Sequence, residues 1–550
     1  RPSSRSWRCS HSDGIGNVEA PLNETSWSTD GLIGVLKQVA RSSPFYERAT
    51  RMLDRRLVVG AAPVPPPAME PRRLTIGMCT YDDFDGVYFS LQAIRLYHPE
   101  VLEHVNFLVI DNHPTGVHAE PVARLCAQLP ECHYFPYRSM VGTATRDLLF
   151  RISTSDFVLC MDSHVMFPPG VLARLLAYID EHPDTNDLLQ GPLVNDSGTS
   201  VSSHFEPTWS DAMWGRWSTD ERARDPEGPP FEVPMQGLGV FACRREAWPG
   251  LNRKLGGFGG EEGYVHERVR RAGGRTLCLP FFRWLHRFGR PAGVPYPNVL
   301  RERLRNYLLI AHELGDDPGP AVEHFRTRMP PEDVDEVVEA VRVERSGPFA
   351  FFDAIYCINL DRQADRWQAL QEQLARVGLC FSGSVRRVPA VETPDNHHVG
   401  CALSHRAILE EARWQGLRNV LVLEDDVRFS PTAVADLAAS LHELQDRAWD
   451  LLYLGGHRWG QTYPLLPGCR HLEIPRGLTC THAIAYNHTV YNRLLEELPA
   501  RPSEMALWLE TYKGIDQFYA YRFQAEVLLV RPAVATQPGM APHETGEFTL

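Results

Sequence analysis

Short apolar runs alternate with longer segments of helical spacing along the chain, and the two patterns come in two batches. LTIGMCT (74–80), VNFLVID (105–111) and DFVLCMD (156–162) are strand-length apolar runs that each close on polar or acidic residues. The first two lead into helix-compatible stretches. A second batch opens at Phe351 with FFDAIYCINL, continues with a helical pattern over Gln363–Val377, and then gives RNVLVLEDDV and WDLLYLGG. Alternation of this kind predicts mostly parallel sheets covered by helices. The expected fold class is therefore α/β, with two Rossmann-like domains in tandem.

The punctuation between these batches predicts four divisions. Residues 1–71 read as a peripheral segment, with a helical pattern over Leu32–Leu57 and a stiff polyproline-type linker at Ala61–Pro71. Residues 72–300 form the first domain, and 301–350 a charged helical connector with breaks at Pro318, Pro320 and Pro330–Pro331. Residues 351–550 form the second domain. The halves echo each other: DFVLCMDSHVMFPPGVLARLLAYI and NVLVLEDDVRFSPTAVADLAASL both run strand, acidic tripeptide, short strand, proline, helix. Superposing them lays Asp162–Ser163–His164 on Glu424–Asp425–Asp426.

Composition narrows the function classes. A chain of 550 residues with 43% hydrophobic and 23% charged residues is globular and too long for one core. Its longest apolar runs are strand-sized, so no membrane span is expected in this chain. The net charge of −13 argues against nucleic acid as a partner but leaves room for a small anionic ligand. Twelve scattered cysteines without a CxxC pair read as reduced thiols. That favours a cytoplasmic setting, free or membrane-peripheral, and leaves the compartment open. A secretory lumen is the alternative if an anchor preceded Arg1, and only there would the sequons at Asn23, Asn195 and Asn487 matter.

Ligands on such sheets sit beyond the carboxyl ends of the strands. Two metal-binding side chains separated by one residue at a strand end can face one side of a divalent ion and leave its other positions to diphosphate oxygens. Asp162 and His164, with His286 as third ligand, form such a set, and its imidazoles suit Mn²⁺. In the second half Asp425 and Asp426, beside Glu424, offer oxygen only, which suits Mn²⁺ or Mg²⁺. Four glycines precede Glu261 and Glu262 in GGFGGEEGY (256–264) and place that pair at a helix start, where a carboxylate can deprotonate an acceptor hydroxyl. Plainer alternatives stand beside each: a helix cap for the acids, a core histidine for His286, a capping loop for the glycines. Cys401, Ser404 and His405 invite a nucleophile reading, which packing explains better, and His397–His398 a further metal site, which is not favoured either. The Trp-rich stretch Phe205–Trp217 is either core or an acceptor-side loop whose ring faces stack on sugars.

Taken together, TYDDFDG (80–86), VIDN (109–112), GTATRD (142–147), MDSHV (161–165), MQGLGVFACRR (235–245), GGFGGEEGY and WLHRFGR (284–290) resemble a family 2 GT-A glycosyltransferase domain over Leu74–Gly293. The metal and acceptor motifs are also similar to those of β-1,4-galactosyltransferases and polypeptide N-acetylgalactosaminyltransferases. The resemblance implies Thr80, Asp82 and Asp111 near the nucleoside, Arg146 near the donor, and Asp162, His164 and His286 around the metal. It further implies Gly237 and Gly239 near sugar or acceptor, with Glu262 as base and Glu261 on sugar hydroxyls. Galactosyltransferases carry Asp at the base position, and the DxH form is that of retaining enzymes, so the anomeric outcome stays open.

YCINLDRQADR (356–366), HVGCALSHRAIL (398–409), VLVLEDDVRF (420–429), LYLGGH (452–457), THAIAYNHTVYNRLL (481–495) and GIDQFY (514–519) resemble family 25 glycosyltransferases, the lipooligosaccharide and procollagen galactosyltransferase type. Here the resemblance implies Asn359, Arg362 and Arg366 on the nucleotide, Asp425 and Asp426 on the metal, and Asp516 as an acceptor-side carboxylate. The combined expectation is a bifunctional, metal-dependent hexosyltransferase using UDP-sugars on a glycan, glycopeptide or glycolipid hydroxyl. Two rivals remain: one silent, glycan-binding module beside one active one, or a nucleotidyltransferase, against which the acidic TYDDFDG segment speaks.

Overall fold

A computed structural model describes residues 29–37, 44–58, 66–138, 142–195, 200–289, 299–379 and 385–538. Asn23, Arg290 of the WLHRFGR motif and 61–65 of the expected linker lie outside the described residues. The first sheet has eight strands, in the order Phe231–Glu232, Thr276–Cys278, Leu188–Gln190, Val240–Arg244, Phe157–Met161, Leu74–Thr80, Val105–Asp111 and Cys132–Pro136. The second has seven: Val385–Pro389, Ala354–Asn359, Asn419–Glu424, Ala483–Asn487, Leu451–Tyr453, Val527–Val530 and Leu472–Glu473. The chain is α/β, and both sheets are mixed rather than purely parallel.

The internal echo is a shared topology. In the first sheet Leu74–Thr80 pairs parallel with Val105–Asp111 and Phe157–Met161. Phe157–Met161 pairs antiparallel with Val240–Arg244, which meets Leu188–Gln190 antiparallel before Thr276–Cys278 resumes parallel. The second sheet repeats that sequence of pairings strand for strand, from Val385–Pro389 to Val527–Val530. Register makes the match residue-specific. The Asp162 N–H donates to the Gly239 carbonyl at 2.8 Å, just past the Met161–Val240 pair. The Glu424 N–H donates to the His482 carbonyl at 3.0 Å, just past Leu423–Ala483. Asp162 and Glu424 are thus equivalent, as are His164 and Asp426.

Two segments behave differently from their sequence expectation. The helices Thr29–Leu36 and Pro44–Leu57 are not peripheral: Leu32, Leu36, Ala49 and Leu53 are buried in one core with Leu494, Met505 and Leu509 of the second domain. Arg501 clamps that contact through Glu47, Thr50 and Asp54. The region 301–350 is helical as expected, with helices Leu300–Leu314, Gly319–Arg326 and Pro331–Ser346, yet it is more than a spacer. Leu304, Leu308, Val334 and Val341 share a core with Leu148, Phe241 and Tyr264 of the first domain. An amphipathic helix buries its apolar face wherever one is offered, and sequence periodicity does not name the acceptor.

The modules meet through a buried polar cluster. The Tyr137 hydroxyl of the first donates to Glu411 at 2.9 Å, and the Tyr356 hydroxyl donates to the same carboxylate at 3.1 Å. Arg386 stands 3.5 Å from Glu411, Gln415 donates to Tyr137 at 2.9 Å, and Trp414 packs edge-on against Phe135 and Tyr137. Removing the carboxylate strands a buried guanidinium. Glu411→Ala is therefore expected to destabilise the protein by about 3 kcal/mol, and Glu411→Gln by less, as read from urea midpoints. Equal midpoints for both variants and wild type would refute this.

Candidate active site

Four strand ends of the first domain converge on one corner. Asp162 follows Phe157–Met161 directly, and its two oxygens face different partners. Oδ1 accepts from the Arg146 guanidinium at 2.9 Å, and Oδ2 lies 3.8 Å from His286 Nε2, on the strand Trp284–His286. That separation suits two ligands of one divalent ion at about 2.1 Å each. Arg146, only 11% exposed, reaches on to Glu261 at 3.7 Å, so one cation bridges the strand-end acid and the acid of the glycine loop.

His164 is brought near but not into this pair. Its backbone is left-handed (φ 79°), and its Nε2 lies 2.6 Å from Asp83 Oδ2, while its ring is 6.1 Å from that of His286. Burial by itself would raise the Asp83 carboxyl. The His164 ring, the Gly86 N–H and the Ser163 hydroxyl overcome that and hold it at about 2. Asp83 also caps the helix Phe84–Tyr97. Of the three expected ligands, Asp162 and His286 face each other, while the His164 ring is held aside by Asp83.

The carboxylate pair sits as the glycines suggest. Gly259 and Gly260 have φ of 110° and 94°, a region other residues rarely adopt, and Gly260 precedes the helix Glu261–Arg271. A Cβ on Gly259 would lie 2.7 Å from Arg303 and one on Gly260 2.9 Å from Ile310, so the connector packs directly on this loop. Asn306 secures it by donating to the carbonyls of Gly256 and Gly259, at 2.7 and 3.2 Å. Glu261 Oε2 accepts from the Gly259 N–H at 2.8 Å. Burial, and then the neighbouring Glu261, push the Glu262 carboxyl up to about 8, and burial raises Glu261 as well. No helical periodicity could have flagged Asn306 or Arg303, because their role comes from packing.

Thr80, Asp82 and Asp111 gather at the next two strand ends. The Asn112 N–H donates to the Thr80 carbonyl at 2.8 Å. Asp111 accepts from Tyr134 at 2.7 Å and from the His113 N–H at 2.9 Å, and burial raises its carboxyl. Asp82 accepts from the His118 N–H at 2.9 Å, and Tyr81 stacks on His113 with ring centroids 4.6 Å apart. Gly237 and Gly239 line the opposite wall. A Cβ on Gly239 would come within 3.3 Å of Asp162 Oδ2, and one on Gly237 within 3.0 Å of Trp217. The Trp-rich stretch is a hairpin, His204–Ser210 with Met213–Ser218, anchored on the connector: Trp209 stacks on His324 and the Trp214 N–H donates to Tyr307 at 2.7 Å.

In the second domain Asn359 donates to Asp425 at 2.8 Å, and Arg366 reaches Asp425 at 3.2 Å and Asp426 at 2.9 Å. Arg362 does not join them; it pairs with Glu392 at 2.6 Å. Arg387, which the sequence reading did not single out, fills that place by donating to Asn359 Oδ1 at 2.7 Å. Asp426 Oδ1 is buried without a hydrogen-bond partner, an orphan acceptor that a cation would satisfy. Burial and then Glu424 raise the Asp426 carboxyl. Asp516 is the second residue of the helix Ile515–Tyr521 behind Gly514, in the connection before Val527–Val530. Glu262 is likewise the second residue behind Gly260, in the connection before Thr276–Cys278. Asp516 accepts from the Cys480 N–H at 3.0 Å, and nearby Trp459 is 56% exposed with its ring pinned to Thr479.

Comparison with known proteins places these two modules in a class. Residues 75–247 match the family described as Glycosyl transferase family 2, and residues 395–472 match Glycosyltransferase family 25 (LPS biosynthesis protein). Each module thus contains a segment similar to a glycosyltransferase family, family 2 in the first and family 25 in the second. Among particular relatives, a mouse protein named inactive glycosyltransferase 25 family member 3 is 29% identical over 31% of this chain and 31% of its own length. Zebrafish procollagen galactosyltransferase 1 is 30% identical over 20% of this chain and 22% of its own length. The matches span about a third or less of these relatives. A structure of GalNAc-T7 with UDP, GalNAc and Mn²⁺ is similar at TM-score 0.35 and 16% identity, covering 44% of this chain and 48% of that one. S. aureus TarS 1–349 is similar at 0.31 and 13%, covering 69% and 94%. No helix among the described residues is long and apolar enough to cross a membrane.

Proposed function

We propose that the chain is a bifunctional, metal-dependent glycosyltransferase that passes sugars from UDP-linked donors to hydroxyls of a glycan, glycopeptide or glycolipid. The observation that carries this is the strand-end corner where Asp162 faces His286 and Arg146 links Asp162 to Glu261, with Glu262 next along the helix start and held at about 8. Asp162 and His286 would hold Mn²⁺, which when bound offsets charge gathering on the departing diphosphate. Thr80, Asp82 and Asp111 would receive the nucleoside. Arg146 keeps Asp162 oriented and lends positive charge beside the diphosphate. Glu262 would take the acceptor proton as the glycosidic bond forms, and its raised basicity suits that transfer near neutral pH. In the second module Asn359, Arg366 and Arg387 would hold the nucleotide, Asp425 and Asp426 the ion (Mn²⁺ or Mg²⁺), and Asp516 would face the acceptor.

A second reading has one active module and a glycan-binding second one. Arg366 already neutralises both Asp425 and Asp426, and some family 25 relatives are named inactive. Asp162→Ala and the double variant Asp425→Ala/Asp426→Ala, assayed across UDP-sugars with Mn²⁺, separate the two. Bifunctionality requires each to lose a different transfer. If the double variant keeps every transfer, the second module is silent; if Asp162→Ala keeps every transfer, the first-module proposal fails.

A further inference from the structure

The equivalent strand-end acids of the two modules are neutralised differently. Asp162 receives the Arg146 guanidinium, whereas no guanidinium or ammonium among the described residues pairs with Glu424. Glu424 instead turns toward the helix His397–Trp414. There His405 Nε2 lies 3.4 Å from Glu424 Oε1, and Cys401 Sγ lies 3.9 Å from the same oxygen. The thiol, imidazole and carboxylate atoms all lie within 4.8 Å of one another. Cys401 and His405 are four apart on one helix face, so the backbone itself aims both at the strand end.

We propose that Cys401, His405 and Glu424 form a zinc site in the second module, separate from the ion that Asp425 and Asp426 would hold for the donor. Tetrahedral Zn²⁺, with bonds of about 2.3 Å to sulfur and 2.0–2.1 Å to nitrogen and oxygen, needs S···O near 3.5 Å and N···O near 3.3 Å. The S···O and N···O spacings need only a few tenths of an ångström of closure, and the sulfur lies within 4.8 Å of the imidazole nitrogen. A thiolate, an imidazole and one carboxylate select Zn²⁺ over Mn²⁺ or Mg²⁺, which prefer oxygen. The outer partners of such a site are also in place. The Tyr486 hydroxyl lies 2.9 Å from His405 Nδ1, which fixes the ring with Nε2 toward the site, and Thr481 donates to Glu424 Oε1 at 2.7 Å. Thr481 Oγ1, 4.0 Å from Cys401 Sγ, or a water beside it, would complete the fourth corner. Zinc here supplies the charge that Arg146 supplies in the first module, and it ties the helix to the strand end that presents Asp425 and Asp426.

The test uses the purified full chain, stripped with a chelator and titrated with Zn²⁺, then with Co²⁺. About one Zn²⁺ per chain is expected. Co²⁺ should give a near-ultraviolet thiolate-to-metal absorption band. Cys401→Ser should abolish the band, Tyr486→Phe should keep it with zinc affinity about tenfold weaker, and Asp425→Asn/Asp426→Asn should keep both band and stoichiometry. If Cys401→Ser does not fold, zinc-edge X-ray absorption on the wild-type chain decides, with one sulfur expected at about 2.3 Å among nitrogen and oxygen ligands. No bound zinc, a shell without sulfur, a band that survives Cys401→Ser, or a band lost with Asp425→Asn/Asp426→Asn would each overturn the site. None of these outcomes depends on sugar transfer, so the zinc site and the proposed activity fail separately.

Discussion

Glu262→Gln is expected to lower transfer by the first module by about 10²–10⁴-fold while leaving donor binding within a few-fold. Glutamine fills the same space and keeps the helix start, but it cannot take a proton. The pH profile gives a second, independent check. Because burial and Glu261 hold the Glu262 carboxyl at about 8, wild-type kcat/KM should climb with pH up to that value and level off above it. The variant should lack that limb. Stability runs the opposite way. The folded pKa is raised above the unfolded value of 4.5, so the folded chain keeps a proton that the unfolded chain releases. Stability therefore falls as pH rises between 4.5 and about 8 and is flat outside that window. Glu262→Gln removes this penalty, so relative to wild type it should gain on the order of 5 kcal/mol between pH 4 and pH 9. A variant that keeps the wild-type rate, or a pH-independent stability difference, would remove Glu262 from the role of base.

Asp162→Ala should be nearly as damaging, for two separable reasons. Transfer should drop about 10²–10³-fold, because the strand-end oxygen facing His286 is gone and charge on the leaving diphosphate goes unopposed. Stability should fall by about 1–3 kcal/mol, because the Arg146 guanidinium keeps only the more distant Glu261 at 3.7 Å. Pairing the change with Arg146→Met separates the two effects. The double variant should recover part of the lost stability, since the guanidinium is no longer stranded and the buried Glu261, already raised by burial, can keep a proton; it should recover none of the activity. Recovery of transfer in the double variant would mean that Asp162 acts only through Arg146 and not on the donor.

Much of this was legible in the chain itself. Apolar strands ending on acids, a Gly-rich lead into paired glutamates and the repeated strand–acid–proline–helix pattern are local features, set by which side chains a buried strand or a tight turn tolerates. Even the alignment of Asp162 with Glu424 was readable, because register along a strand follows the hydrophobic pattern. What failed was orientation. His164 lies where the motif puts it, yet its left-handed backbone and the acid at Asp83 turn its ring aside. Arg387, and not Arg362, contacts Asn359, because it comes from a neighbouring strand, 28 residues from Asn359 in sequence.

The sequence by itself determined the α/β class, the tandem repeat, and which acids stand at the strand ends, since period, glycine placement and strand punctuation are properties of short segments. Only the tertiary structure decided that the N-terminal helices complete the second core, that the connector walls the glycine loop through Asn306 and Arg303, and that Glu424 faces Cys401 and His405 instead of a guanidinium. The reason is physical. Those outcomes depend on which distant surfaces exclude water together, and on which charge reaches a carboxylate first, and no local pattern encodes either.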